Sequence, residues 1–239
     1  MNLDIKDRLF IVTGGTSGIV RSIAKALLTE GARIILNARN EEKLREIRDE
    51  HPEQIEIVAG DITTDACISK ILTHLARRKI DGIVVNAAGP PAKAFAKTTI
   101  ADWDEAYESL LRWKVKITQA LLPVFEEQAY SRFLFIESSS VKQPIDNLIL
   151  STSLRLAVVG FVKSLSSEVA SRGINLNILA PGYHATPRLE RLFENKAMLL
   201  LGISPEESRE EFIKETLVGK LGNPDDLASL ACWLLSPHS

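Results

Sequence analysis

Apolar residues along the chain follow two alternating rhythms. Short, nearly continuous apolar runs occupy 9–14 (LFIVTG), 33–38 (RIILNA), 55–60 (IEIVAG), 81–87 (DGIVVNA), 132–137 (RFLFIE) and 174–180 (INLNILA). Between them, apolar positions recur at helical spacing over about 18–30, 41–50, 64–78, 102–128 and 152–171, and a loop with helices at about 185–218 and 224–236 closes the chain. Runs rich in Val, Ile and Leu suit strands covered on both faces, as in a parallel sheet. The repeated strand–helix order predicts an α/β fold: one doubly wound domain over 1–239, with a mostly parallel sheet of about six to seven strands and helices on both faces. In such sheets ligands sit at the C-terminal ends of the strands.

Composition narrows the classes. With 239 residues, 45% of them hydrophobic, the chain can bury a substantial core. A net charge of −2 and a pI near 6.1 give no electrostatic footprint for nucleic acid. The run Arg77-Arg78-Lys79 is read as charge complementing a helix C-terminus. Cys67 and Cys232 form neither a C-x-x-C pair nor a disulfide framework, and His51, His74, His184 and His238 have no zinc-like spacing, so no metal is expected. The charged start MNLDIKDR is not a signal peptide, and 227-LASLACWLL-235 is too short to cross a membrane. The expectation is a cytoplasmic protein without membrane or nucleic-acid partners.

The first strand runs into a glycine-rich turn and a helix, 10-FIVTGGTSGIVRSIAKALL-28. Gly14 and Gly15 permit a tight turn, Gly18 opens the helix, and Thr16 and Ser17 add hydroxyls. Free amides and the helix dipole make such a turn suited to a diphosphate.

With that turn, several motifs appear in order. Thr13 to Ile19 resembles the T-G-x-x-x-G-x-G turn of the short-chain dehydrogenase/reductase family; 86-NAAG-89 resembles its N-A-G motif, and 181-PG-182 its P-G after the sixth strand. The similarity extends from about residue 6 to 236, and the chain resembles 3-oxoacyl carrier-protein reductase-like and sugar-dehydrogenase-like members. This resemblance implies a Rossmann-type fold and a nicotinamide cofactor held by Gly14, Thr16, Ser17, Gly18, Ile19, Asp61, Ile62, Asn86, Ala87, Ala88, Gly89, Pro181, Gly182, His184 and Thr186, with Arg155 as the cation that hydrogen-bonds its ribose. Asp61 corresponds to the acid that holds adenine. It also implies a small carbonyl or alcohol substrate, a substrate loop at about 183–218, and a homo-oligomer (tetramer or dimer) built through the helices at 102–128 and 152–171. Where NAD-preferring relatives carry an Asp after the second strand, this chain has Ala38 followed by Arg39. A guanidinium can pair with a 2′-phosphate, so NADP is expected rather than NAD.

The resemblance breaks at the reacting centre. The family tetrad is Asn, Ser, Tyr and Lys. Ser138 matches the serine, but Ser151 and Arg155 stand at the Tyr-x-x-x-Lys positions, Leu110 stands for the asparagine, and Val20 replaces the last glycine of the first motif. Val20 should push its helix outward or lean into a neighbouring gap. An alkyl hydroxyl is a weaker acid than a phenol, and arginine supplies charge and donors but does not shuttle protons. Tyr183 and His184 are candidate replacement acids, although ordinary lid residues would look the same. Ser139 to Lys142 spells S-x-x-K without any supporting motif and is read as chance. Two expectations follow: an NADP-dependent oxidoreductase using Ser138, Ser151 and Arg155 in an atypical site, or a degenerate member that binds nucleotide or a partner without turnover. Relatives usually continue into a final strand beyond the helix at 224–236; without it, the sixth strand is expected to be left as an edge.

Overall fold

A computed structural model of the chain describes residues 2–76, 78–128, 130–199 and 203–239. Six strands are described: β1 (Leu9–Thr13), β2 (Arg33–Ala38), β3 (Ile55–Ala59), β4 (Gly82–Val85), β5 (Ser131–Ile136) and β6 (Ile174–Leu179). They form one parallel sheet in the order β3-β2-β1-β4-β5-β6. Connection direction therefore reverses between β1 and β4, and a crevice opens beyond their C-terminal ends, the place where such sheets take ligands.

Period-2 alternation sends each strand's side chains to opposite faces. Phe10, Val12, Ile34, Leu36, Leu134 and Ile136 join one core cluster; Leu9, Ile11, Ile35, Phe133 and Phe135 join the other. The first cluster is covered by α1 (Gly18–Thr29), α2 (Glu41–Glu50) and α9 (Pro224–Leu234), the second by α3 (Asp65–Leu75), α5 (Trp113–Glu126) and α6 (Ile149–Val169). Both faces being covered explains why these strands are apolar at nearly every position rather than alternating. Val20 is buried in the first cluster with Ile23, Leu27 and Ala231, so its bulk is absorbed between α1 and α9.

Two long predicted helices are divided. The segment read as 102–128 is α4 (Ile100–Tyr107), a π turn (Glu108–Arg112) and α5. The segment read as 185–218 holds α7 (Pro187–Leu199) and α8 (Pro205–Lys214), with 200–202 outside the described residues. Arg77 also lies outside them. Its neighbour Arg78 donates to the carbonyls of Leu75 (3.2 Å) and His74 (3.1 Å) at the end of α3 and pairs with Glu56 through both nitrogens at 2.8 Å. Helix Ile149–Arg172 is long and apolar enough by composition to cross a membrane, with mean hydropathy 1.3, a property that its interspersed serines and threonines hide from a search for unbroken apolar runs. Its Val158, Val162 and Val169 are buried against β5 and β6.

β5 carries buried charge at both ends. At its start Arg132 donates to the carbonyls of Ser236 (3.1 Å) and Ser239 (3.2 Å), and its guanidinium lies 4.4 Å from the centre of the Tyr130 ring. Asp81 beside it accepts from Arg8 (2.8 Å) and from the Leu9 amide (2.9 Å). At its far end Glu137 leads into the crevice.

Candidate active site

The turn after β1 is locked to the loop after β4. Thr13 Oγ1 donates within reach of the Val84 and Asn86 carbonyls (3.0 and 2.8 Å) and accepts from the Asn86 amide at 2.8 Å. Gly14 has φ of 71°, and a Cβ there would stand 2.8 Å from Asn86 Nδ2, so only glycine lets the two loops approach this closely. Helix α1 begins at Gly18, also at positive φ (59°). Asn40, Thr64, Thr99, Ser204 and Asn223 all cap their helices with a side-chain oxygen, whereas Ser17, at the same place before α1, makes no capping bond. The first amides of α1 are thus left for an external acceptor.

Around this cradle, Thr186 brings its methyl to 3.6 Å from where a Cβ on Gly18 would lie, closing the turn from the side of α7. Asp61 is fixed by Thr63, whose amide and hydroxyl donate to its Oδ1 at 3.0 and 2.8 Å, and Ile62 is buried behind it. Arg39 is exposed just past β2, next to the α2 cap Asn40.

The segment read from the sequence as catalytic is built from the end of β5 and the start of α6. Ser138 Oγ accepts from the Ser140 amide at 3.2 Å, and the Ser139 amide donates to the Pro181 carbonyl at 2.9 Å, which ties this loop to the one after β6. Ser151 and Arg155 lie one helical turn apart, both buried. Arg155 Nε donates to Ser151 Oγ at 3.1 Å; its Nη1 donates to the Ile136 carbonyl (3.3 Å) and to Glu137 Oε2 (2.8 Å). The other carboxylate oxygen of Glu137 takes the ammonium of Lys114. Arg155 Nη2 and Ser151 Oγ lie 3.4 and 3.9 Å from where a Cβ on Gly89 would be, so the pair stands directly beneath the Asn86–Gly89 loop. Two of the three guanidinium nitrogens therefore face inward, a constraint the sequence did not show.

Lys114 and Glu137 are the residues that sequence reading missed. The Glu137 side chain is 0% exposed and that of Lys114 is 2% exposed. Burial, opposed by the Glu137 charge and reinforced by Arg155, holds the Lys114 ammonium down to about 8. A signal existed: Lys114 lies one turn beyond Leu110 and three residues before Ile117, on a face otherwise buried, and Glu137 ends the apolar run 132–136. Charges on core-facing positions need partners, and each supplies the other's.

Leu110 falls inside the π turn Glu108–Arg112 and is buried; Trp113 Nε1 donates to the Ser109 carbonyl at 2.9 Å. The helix irregularity, a common mark of functional sites, coincides with Leu110, the position read from the sequence as that of the family's asparagine. In the loop after β6, Tyr183 is engaged by the α8 region and His184 by Gly182 and Gly222. The Tyr183 hydroxyl donates to Glu215 at 2.9 Å, and its ring meets Phe212 edge-on at 5.0 Å. Burial, then the Glu215 contact, raises its pKa. The His184 ring packs against Gly222, with Nδ1 3.1 Å from the Gly182 carbonyl. Neither is placed as a substitute acid.

The family model for short chain dehydrogenase matches residues 8–197. The chain belongs to this family. Among relatives within it, the (2S)-[(R)-hydroxy(phenyl)methyl]succinyl-CoA dehydrogenase subunit BbsD of Thauera aromatica is 29% identical, covering 99% of this chain and 92% of that protein. The 3-oxoacyl-[acyl-carrier-protein] reductase FabG of Aquifex aeolicus is 25% identical over 99% of this chain and 93% of its own length. Among solved structures, an actinorhodin polyketide ketoreductase with NADPH superposes with a TM-score of 0.89 at 28% identity, covering 97% of this chain and 91% of that one. The L-sorbose reductase of Gluconobacter frateurii, complexed with NADPH and L-sorbose, superposes with a TM-score of 0.91 at 22% identity over 100% of this chain and 93% of that one, a likeness of fold. The short-chain dehydrogenase fold thus extends through the α7–α9 segment beyond residue 197.

Proposed function

We propose that the protein is an NADP-dependent oxidoreductase acting on a carbonyl or alcohol substrate through a site in which Ser151 and Arg155 stand in for tyrosine and lysine. The observation that carries this is the hydrogen bond from Arg155 Nε to Ser151 Oγ at 3.1 Å. Because the guanidinium is a donor only, the Ser151 oxygen must accept, and its own proton is left for an acceptor in the crevice. Ser138 is arranged alike: its oxygen accepts the Ser140 amide, and its proton is free.

The residues present fit the dinucleotide. The uncapped start of α1, the close approach of Gly14 to Asn86 and Thr186 over Gly18 form a cradle for a diphosphate. Ile19, Asp61, Ile62, the Asn86–Gly89 loop, Pro181, Gly182 and His184 belong to the same reading, His184 through its backbone. Exposed Arg39 is the group for a 2′-phosphate, and the NADPH complexes of similar structures support the choice of NADP. When bound, NADP supplies the hydride acceptor or donor at its nicotinamide.

In the reductive direction Ser138 and Ser151 donate hydrogen bonds to the carbonyl oxygen. Charge building on that oxygen, and on Ser151 Oγ if its proton is released, is stabilised by the Arg155 guanidinium. Glu137 holds Arg155 in this orientation, and Lys114 balances Glu137. Solvent or bound water returns the proton, since arginine does not relay it. A substrate loop at about 183–218, of which 200–202 lie outside the described residues, and assembly into a dimer or tetramer through the helices at 102–128 and 152–171 belong to the same reading, with Leu156 exposed on α6. The test is carbonyl-dependent NADPH oxidation across a broad substrate panel, with Ser138→Ala and Ser151→Ala as controls; NADPH binding without turnover of any panel member removes the proposal.

A second reading, nucleotide binding without turnover, has one specific support: Arg155 is engaged by Glu137 and the Ile136 carbonyl instead of standing free. It requires that NADP stabilise the fold while no substrate consumes NADPH. A turnover abolished by Ser138→Ala excludes it.

A further inference from the structure

We infer that Arg188 is the anchor for a carboxylate on the substrate, so that the enzyme acts on oxo acids or hydroxy acids rather than on neutral carbonyl compounds. The inference rests on the oxidoreductase reading and deepens it.

Arg188 sits in the first turn of α7, two residues after Thr186, whose hydroxyl oxygen accepts the Leu189 amide at 3.3 Å at the start of that helix. The two side chains serve different parts of the crevice. Thr186 lies over Gly18, at the diphosphate turn. Arg188 reaches the other way and donates from Nη2 to the Pro90 carbonyl at 3.2 Å. Pro90 follows Gly89, the residue against which Arg155 Nη2 and Ser151 Oγ stand at 3.4 and 3.9 Å from a would-be Cβ. Two guanidinium groups therefore meet neighbouring residues of one loop, on the side where the reacting hydroxyls are.

The charges at this place do not balance. Glu137 is the carboxylate there, and both its oxygens are taken by Lys114 and Arg155. Arg188 forms no ion pair among the described residues, and Arg191, one turn along α7, adds another cation, its Nε donating to the Pro187 carbonyl at 3.2 Å. Partial desolvation, then the charges of Arg191 and Arg155, disfavour the protonated form of Arg188. Arg188 thus has no carboxylate partner among the described residues, and a ligand anion supplies one. Arginine pairs with a carboxylate through two parallel hydrogen bonds, which fixes orientation as well as charge. Arg188 is exposed, so an incoming ligand can reach it.

The rival source of the anion is the diphosphate of the cofactor, and the experiment separates the two. Reduction rates are compared for 3-oxo acids and their methyl esters at saturating NADPH, for the unaltered protein and Arg188→Met, with NADPH affinity measured on both. The expected result is a preference for acid over ester of roughly tenfold to a hundredfold, as a charge-assisted hydrogen bond supplies. It collapses in Arg188→Met while NADPH affinity stays the same. A preference that survives the substitution, or is absent from the start, overturns the inference. A variant that loses only NADPH affinity assigns the anion to the cofactor and overturns it as well. A second readout needs no turnover: calorimetric titration of malonate onto the NADP-bound protein. Malonate binding that disappears in Arg188→Met supports the anchor even where hydride transfer fails. No malonate binding overturns it even where hydride transfer succeeds. If NADP itself does not bind, the oxidoreductase reading falls separately, and malonate titrated onto the free protein decides the anchor alone.

Discussion

The two ends of β5 bury charge in opposite ways. At the start of the strand, Arg132 is satisfied by backbone carbonyls of Ser236 and Ser239 and by the face of Tyr130, and the last residues of the chain close over it. At the finish, Glu137 is held between Lys114 and Arg155, and that assembly borders the crevice through Ser151 and Gly89. The first cluster spends its donors on the protein's own backbone. The second leaves hydroxyl protons and a guanidinium edge aimed outward. In a doubly wound sheet that difference follows topology: the C-terminal ends of the strands face the ligand, while the other end needs only to be sealed.

The largest expected effect strikes the second cluster. Glu137→Leu leaves Lys114 and Arg155 buried without a counter-charge and should cost about 3–5 kcal/mol in urea unfolding. The double variant Glu137→Leu with Lys114→Met should recover a substantial part, because the worst uncompensated charge is gone. If the single variant is as stable as the parent, the ion pairs are not the support described. At the other end, Arg132→Met should cost less, about 1–3 kcal/mol, since it orphans main-chain oxygens rather than buried side-chain charges. NADP affinity should not change in that variant, and a change would mean the two ends are coupled.

A third expectation separates the ends by pH. Lys114 is held to about 8 in the folded protein against 10.5 when unfolded. Below 8 both states carry the proton, and burying the charge is a standing penalty. Between about 8 and 10.5 the unfolded chain binds more protons than the folded one, so this group makes stability rise with pH, and the gain is complete above 10.5. Lys114→Met should abolish that upward slope in denaturation measured from pH 7.5 to 10, whereas Arg132→Met should leave it intact.

The smallest effect is expected at Tyr183. Its phenol is bound to Glu215 at the end of α8, so Tyr183→Phe should leave turnover and its pH profile unchanged and alter stability by no more than about 1 kcal/mol, as loss of one partly exposed hydrogen bond does. A turnover loss of an order of magnitude would return Tyr183 to the mechanism.

Much of this architecture was legible in the letters. Nearly continuous apolar runs such as 33–38 and 132–137 announce strands covered on both faces, and the order of turn, Asn-Ala-Ala-Gly and Pro-Gly motifs places the crevice. The division of the helix at 102–128 was not legible, because π turn Glu108–Arg112 preserves helical spacing on both sides of it. Nor was the partnership of Lys114 with Glu137: the two residues are 23 apart in sequence, and only packing of α5 against the end of β5 brings them together. Arg155 looked like a free ribose-facing cation for the same reason. Its orientation depends on a carboxylate whose position a local reading treats as the polar end of a strand. The contact of Arg188 with the Pro90 carbonyl, 98 residues away in sequence, likewise has no local signature.

The central claim is that Ser151, oriented by Arg155, does the work of the missing phenol. It is tested most directly by following NADPH fluorescence in a stopped-flow mixing of the enzyme with a reducible carbonyl compound, for the unaltered protein and Ser151→Ala. The account predicts carbonyl-dependent loss of NADPH that falls roughly 10²–10⁴-fold in the variant, with NADPH affinity unchanged. An equal rate in both proteins, or no carbonyl-dependent loss in the unaltered one, contradicts it.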